Sequence, residues 1–166
     1  MDAPAQQNTL AATVVDEYVR YYRHLATRVE QAVRSLPKEK LWVKPFPFGN
    51  DVGHLVLHLT GNLNHFVGAV LGGGDYVRDR DREFLEEARP DAAVVLADFQ
   101  KAIDLVARTI ASLDAAVLAK PVSTRLPIET TFGLLLVCAS HLNNHVGQMS
   151  YLVRAQGHSM DDPPVW

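Results

Sequence analysis

The chain has 166 residues, 48% of them hydrophobic and 21% charged, which suits one domain spanning residues 1–166 with a continuous core. Sixteen Lys and Arg against nineteen Asp and Glu leave a formal net charge of -3, and the basic residues are scattered, without the basic stripe and interleaved aromatics of a nucleic-acid binder. No stretch reaches the roughly 18 consecutive apolar residues of a membrane span, and the opening Met1-Asp2-Ala3-Pro4 lacks a leader pattern, so a cytoplasmic protein without membrane partners is expected. The single Cys138 cannot form an internal disulfide, which fits a reducing compartment.

Helical periodicity predicts a first helix from about residue 8 to about 35, with Leu10, Val14, Val15, Tyr18, Tyr22, Leu25, Val29 and Val33 on its buried side and Pro37 beyond its end. Residues 37–49 form a loop with three prolines and three large aromatics, expected to pack its apolar residues over one end of the fold. Asn50 or Asp51 caps a second helix that runs to about Leu71 and stops at Gly72-Gly73-Gly74. Residues 75–90 read as a solvated, charged linker with a short helix around Glu83 to Ala88. A third helix is predicted from about Asp91 to about Leu118, and a fourth, capped by Thr130 or Thr131, to near Gly157. Nothing between them alternates like a half-buried strand, so the fold class is all-α, a four-helix bundle. The start of the fourth helix, Phe132 to Cys138, is apolar on nearly every side and has to be buried by more than one neighbour.

The chemistry turns on where the histidines point. At about 100° per residue, the fourth helix aligns Leu134, Cys138, His141, His145, Gln148 and Leu152. Two imidazoles four residues apart thus interrupt a core-facing row, and burying such rings is costly unless they are bonded or coordinated. The second helix aligns Asp51, His54, His58, Asn62 and His65, beside Leu55, Leu59, Phe66 and Val70. His58, mid-segment, is the best third ligand, because His54 and His65 lie nearer the ends and can face water. Three neutral imidazoles suit zinc or nickel first, then iron, manganese or copper, and leave a coordination position open to water or substrate. The competing reading is a pair of ordinary core histidines, since a helical H-x-x-x-H is only moderately specific. Leu142 stands where a zinc protease H-E-x-x-H would carry its glutamate base, which argues against that enzyme class.

The stretch Gly53-His54-Leu55-Val56-Leu57-His58-Leu59-Thr60-Gly61-Asn62-Leu63, with His141-Leu142-Asn143-Asn144-His145-Val146-Gly147-Gln148-Met149, resembles the DinB superfamily, which includes YfiT-like metal-dependent hydrolases. The resemblance covers nearly the whole chain. It implies an up-down-down-up four-helix bundle, commonly dimeric, with a divalent metal held by His58, His141 and His145. It also implies, for some relatives, transferase chemistry on low-molecular-weight thiols such as bacillithiol or mycothiol.

The functional expectation is a metal-dependent enzyme that activates water or a low-molecular-weight thiol, a hydrolase or thiol S-transferase acting on a small molecule. The alternative is a non-catalytic metal-dependent ligand-binding or stress-response protein. No carboxylate can be assigned beside the three histidines, so no catalytic residue is named. The metal should leave below about pH 6, where imidazoles protonate. Gln148 is expected to orient a ligand or to bond between helices, Cys138 to be core, and Asn62 and Asn64 to bond across helices or to a loop. His24 and His158 are expected to face solvent, and Tyr18, Tyr21 and Tyr22 to form core, pocket or dimer surface. A homodimer would cover the surplus apolar surface.

Overall fold

A computed structural model describes residues 3–85 and 87–160 of the chain. Its first helix, α1 (Ala3–Arg34), begins earlier than the periodicity suggested and ends ahead of Pro37. Val15, Tyr22, Leu25, Val29 and Val33 are buried on it, whereas Leu10 is 66% exposed and Val14 and Tyr18 are only half-buried. After a 3-10 turn at Lys38–Lys40, the proline- and aromatic-rich loop packs in part. Leu41 is buried and accepts a backbone bond from Gly53 at 3.0 Å. Trp42 lies so close over Gly53 that a Cβ there would fall 2.5 Å from its ring. Val43 and Phe48, by contrast, stay exposed.

Helix α2 (Val52–Leu63) is capped by Asp51, whose carboxylate accepts from the His54 backbone N–H. It continues as a π-helix over Asn64–Leu71 and stops at the glycine run, where Gly73 takes a positive φ of 69°. The linker is the largest departure from expectation. It carries a single short turn, α3 (Arg82–Leu85), in place of a helix from Glu83 to Ala88, and within it Glu83 is buried. Glu86, inside the expected helix, lies outside the described residues.

The predicted third helix is two elements. Helix α4 (Ala92–Ala111) ends at Ser112, and the Asp114 carboxylate then caps a separate turn, α5 (Ala115–Leu118), by accepting from the Val117 N–H at 2.8 Å. The competition of a short polar side chain for backbone donors breaks the helix there. Residues 121 and 130 meet in an isolated antiparallel bridge, and no strand is present among the described residues. Helix α6 (Thr131–Ala155) is capped by Thr130 and closed by Gly157, whose φ of 82° lets His158 N–H bond back to Val153.

Contacts between ends give the helix directions. The Lys38–Asp91 ion pair joins the end of α1 to the start of α4, and Leu41 joins the end of α1 to the start of α2. Lys40 donates to the Gln156 carbonyl at the end of α6, while Tyr18 meets Phe132 near the other end. So α1 and α6 run one way and α2 and α4 the other, an up-down-down-up bundle in which α1 and α2 each pack against both α4 and α6. The core includes Leu25, Val29, Leu55, Leu59, Val106, Leu134, Leu142 and Met149, each burial contributing about 1.5–3 kcal/mol before entropy. Phe132 and Leu136 depart from the expectation for early α6: they remain 42% and 49% exposed, because only one side of that turn meets the bundle.

Candidate metal centre

The α2–α6 contact brings three imidazoles together. His58 Nε2 lies 3.1 Å from His141 Nε2, and His145 Nε2 lies 3.1 Å from the same atom. The three ligand atoms all fall within 4.8 Å of one another. His141 and His145 are one turn apart on α6, and His58 faces them from α2, where Leu55 and Leu59 are buried beside it.

The outer ring nitrogens decide the protonation pattern. His58 Nδ1 lies 2.8 Å from Glu83 Oε2, and a carboxylate has no proton to give, so Nδ1 carries the hydrogen. The Arg78 Nη2 contact with the same nitrogen, at 3.3 Å, is then two donors side by side, both directed at Glu83. His145 Nδ1 lies 2.8 Å from Gln148 Oε1, again an acceptor. The Nε2 atoms of His58 and His145 therefore both present lone pairs towards His141 Nε2.

Three imidazoles cannot satisfy one another in this arrangement. His141 has one proton to offer in its neutral form, and placing it on Nε2 leaves one of two facing lone pairs without a full bond. Placing it on Nδ1 puts it on a buried atom with no partner. Protonating the cluster is no remedy. Burial, followed by the like charges of His145 and His58, pushes His141 down to about 4, and burial also lowers His58 and His145. A divalent cation accepts all three Nε2 lone pairs at once, with the His141 proton then on Nδ1. At about 2.0–2.1 Å from each nitrogen, tetrahedral angles would separate them by about 3.3 Å, close to the 3.1 Å that His141 Nε2 keeps from each of the other two. The donor set fits the divalent metal that the sequence resemblance implies.

Other sequence candidates fall elsewhere. His54 is buried and does not face water: its Nδ1 bonds Asp51 Oδ2 at 2.7 Å and its ring meets Trp42 edge-on at 5.1 Å. His65 is half-buried against Phe66, away from the cluster. Cys138 is buried core, with its thiol pushed up to about 12 by desolvation, and it lies outside the group of three converging ligand atoms. Gln148 holds His145 as just described. Asn62 is buried with its Oδ1 unpartnered, without the expected cross-helix bond at that atom. His24 is exposed against Tyr21, whereas His158 is half-buried, with Nε2 3.3 Å from Lys40 Nζ. Tyr22 is fully buried and donates to the Leu135 carbonyl at 2.9 Å.

Sequence reasoning missed Glu83 and Arg78. Arg78 grips both Glu83 oxygens, at 2.6 and 2.7 Å, and Phe84 next to Glu83 packs on the His58 ring at 4.8 Å. One signal was available. Gly61 sits mid-helix, three residues beyond His58 on the same face, where a glycine costs about 1 kcal/mol relative to alanine. The space it leaves is filled by the Glu83 carboxylate.

A model of the family described as "Protein of unknown function (DUF1572)" matches residues 9–160. The chain belongs to the DUF1572 family, within the DinB-like superfamily. Among solved structures, this DUF1572 chain is similar to a DinB-like protein from Bacillus cereus ATCC 10987. The two are 15% identical with a TM-score of 0.71, over 91% of this chain and 97% of that one. At that identity the likeness is one of fold. No curated protein matches the chain.

Proposed function

We propose that this DUF1572 protein binds one divalent metal ion, zinc or nickel in preference to iron, manganese or copper, through Nε2 of His58, His141 and His145. The observation that carries the reading is the convergence of three Nε2 atoms, with the Glu83 carboxylate behind His58 and the Gln148 amide oxygen behind His145. When bound, such an ion lowers the pKa of a water or thiol and thereby supplies a nucleophile near neutral pH. The reaction class proposed is metal-dependent hydrolysis or transfer to a low-molecular-weight thiol.

The chain's own residues bear on the ligand. Three neutral imidazoles bring no negative charge, and Arg78 offsets that of Glu83, so the centre favours an anionic or ionisable small molecule in its open position. Both Glu83 oxygens are occupied by Arg78 and His58, which leaves it unsuited to act as a free general base. That feature supports the second reading, a cytoplasmic protein that captures a small ligand without turnover. Elemental analysis of protein purified without a nickel column tests the shared premise: about one metal per chain is expected, and sub-stoichiometric metal would return the histidines to the core. Among the described residues, no helix is long and apolar enough to cross a membrane.

Assembly as a homodimer is part of the proposal. Leu10, Phe132 and Leu136 are exposed on neighbouring parts of α1 and α6, beside half-buried Tyr18 and Tyr21, and a symmetric partner would cover them. Light scattering near twice the 18.4 kDa chain mass is expected at micromolar concentration; a monomer mass counts against it.

A further inference from the structure

The contact behind His58 differs in kind from those behind the other two histidines. Gln148, behind His145, is a neutral and exposed amide, and His141 Nδ1 has no partner. Glu83 is a carboxylate 5% exposed, delivered from a segment 25 residues along the chain, and aligned by a bidentate arginine that is itself mostly buried. Helix α2 is shaped to receive it, since a side chain at position 61 would strike the Glu83 carboxylate. Burying this pair is costly unless its hydrogen-bonding capacity is used. Here Oε2 spends part of that capacity on His58 Nδ1.

We infer that Glu83, aligned by Arg78 and admitted by Gly61, is a positioning residue for the metal centre: it locks His58 in the Nδ1–H tautomer, so that Nε2 is a committed metal donor. This rests on the metal-binding reading above. Without Glu83, neutral His58 is free to carry its proton on Nε2 and to satisfy His141 as a donor, a state that has to be undone before metal enters. A charged acceptor behind a ligating imidazole also raises its basicity, and loss of such partners typically weakens metal binding about 10–100-fold.

A purely structural ion pair would not move the His58 tautomer, so the test reads that directly. Long-range proton–nitrogen spectra of the 15N-labelled, metal-free protein at pH 8 should show His58 protonated at Nδ1. In Glu83→Leu the proton should shift wholly or partly to Nε2, while His145 stays as in the parent, and zinc affinity by calorimetry should fall about 10–100-fold. Glu83→Gln, which keeps an acceptor oxygen, should restore the Nδ1–H form with affinity within about tenfold of the parent. Should Glu83→Leu not fold, Gly61→Ala carries the same comparison by displacing the carboxylate without removing it. An unshifted tautomer and zinc affinity within about twofold, set against the 10–100-fold expected, would overturn the role of Glu83 alone. A parent that takes up no zinc would overturn the metal assignment itself.

Discussion

His54 and His58 lie one turn apart on α2, both buried and both backed by a carboxylate, yet they should fail in opposite ways when replaced by alanine. His58→Ala removes one of three ligands. Four-ligand structural zinc sites bind with about 10–16 kcal/mol, so one ligand carries roughly 3–4 kcal/mol, and affinity should fall about 100- to 1000-fold. The Arg78–Glu83 pair survives that change, because Arg78 contacts both oxygens without help from His58. Its cost to the metal-free fold should be about 1–2 kcal/mol. His54→Ala instead strips Asp51, 1% exposed, of the ring bond at 2.7 Å and leaves only the backbone N–H of residue 54 on its carboxylate. Losing a hydrogen bond to a buried carboxylate costs about 1.5–3 kcal/mol. Zinc affinity should stay within about tenfold, since His54 touches none of the three ligands in a way that sets their tautomers. Urea unfolding of the metal-free proteins and calorimetric zinc titration measure the two effects separately. If His54→Ala lost zinc more severely than His58→Ala, the division of the α2 stripe into a structural and a ligating histidine would be wrong.

Acid should destabilise the metal-free protein, because the three clustered histidines are held below their ordinary value of 6.5, His141 at about 4. The unfolded chain then binds more protons, so the stability is complete above about 6.5 and is lost as pH falls towards 4. Partial exposure screens the effect to about 1–2 kcal/mol, and a urea midpoint that is unchanged or higher at pH 5 than at pH 7.5 would contradict it. Cys138, its thiol pushed up to about 12 by burial, should react with a thiol reagent only as the chain unfolds; rapid stoichiometric labelling of the folded protein would contradict that. Tyr22→Phe loses the buried hydroxyl bond to the Leu135 carbonyl and should cost about 1 kcal/mol in urea unfolding with zinc affinity unchanged; unaltered stability would remove that bond from the account.

What could be read from the chain follows from how local each signal is. The ends of α1, of α2 with its π-helical continuation, and of α6 are written in adjacent residues: Pro37, Asp51, the glycine run after Leu71, Thr130 and Gly157. The break between α4 and α5 was equally local, but Asp114 as a cap is outweighed in a periodicity reading by the apolar residues that continue on either side. The pair His141 and His145 is legible from spacing alone. Choosing among His54, His58 and His65 is harder, since one stripe holds all three. The deciding clue lay three residues upstream of His54: an N-cap aspartate can bond both the backbone and the ring of that residue and so take it out of contention. Glu83 could not be found this way. Its partner His58 is 25 residues distant, and its surroundings, Arg78-Asp79-Arg80-Asp81-Arg82, read as a solvated run. Only the oddly placed Gly61 hinted that something occupies that face of α2.

X-ray absorption at the zinc edge of the zinc-loaded protein reads directly whether three Nε2 atoms hold one divalent ion with a position left open. Three imidazole nitrogens at about 2.0–2.1 Å with a single further light-atom ligand are expected. A spectrum with a sulfur neighbour at about 2.3 Å, which would draw in Cys138, or one with fewer than three imidazoles at full metal loading, would contradict it.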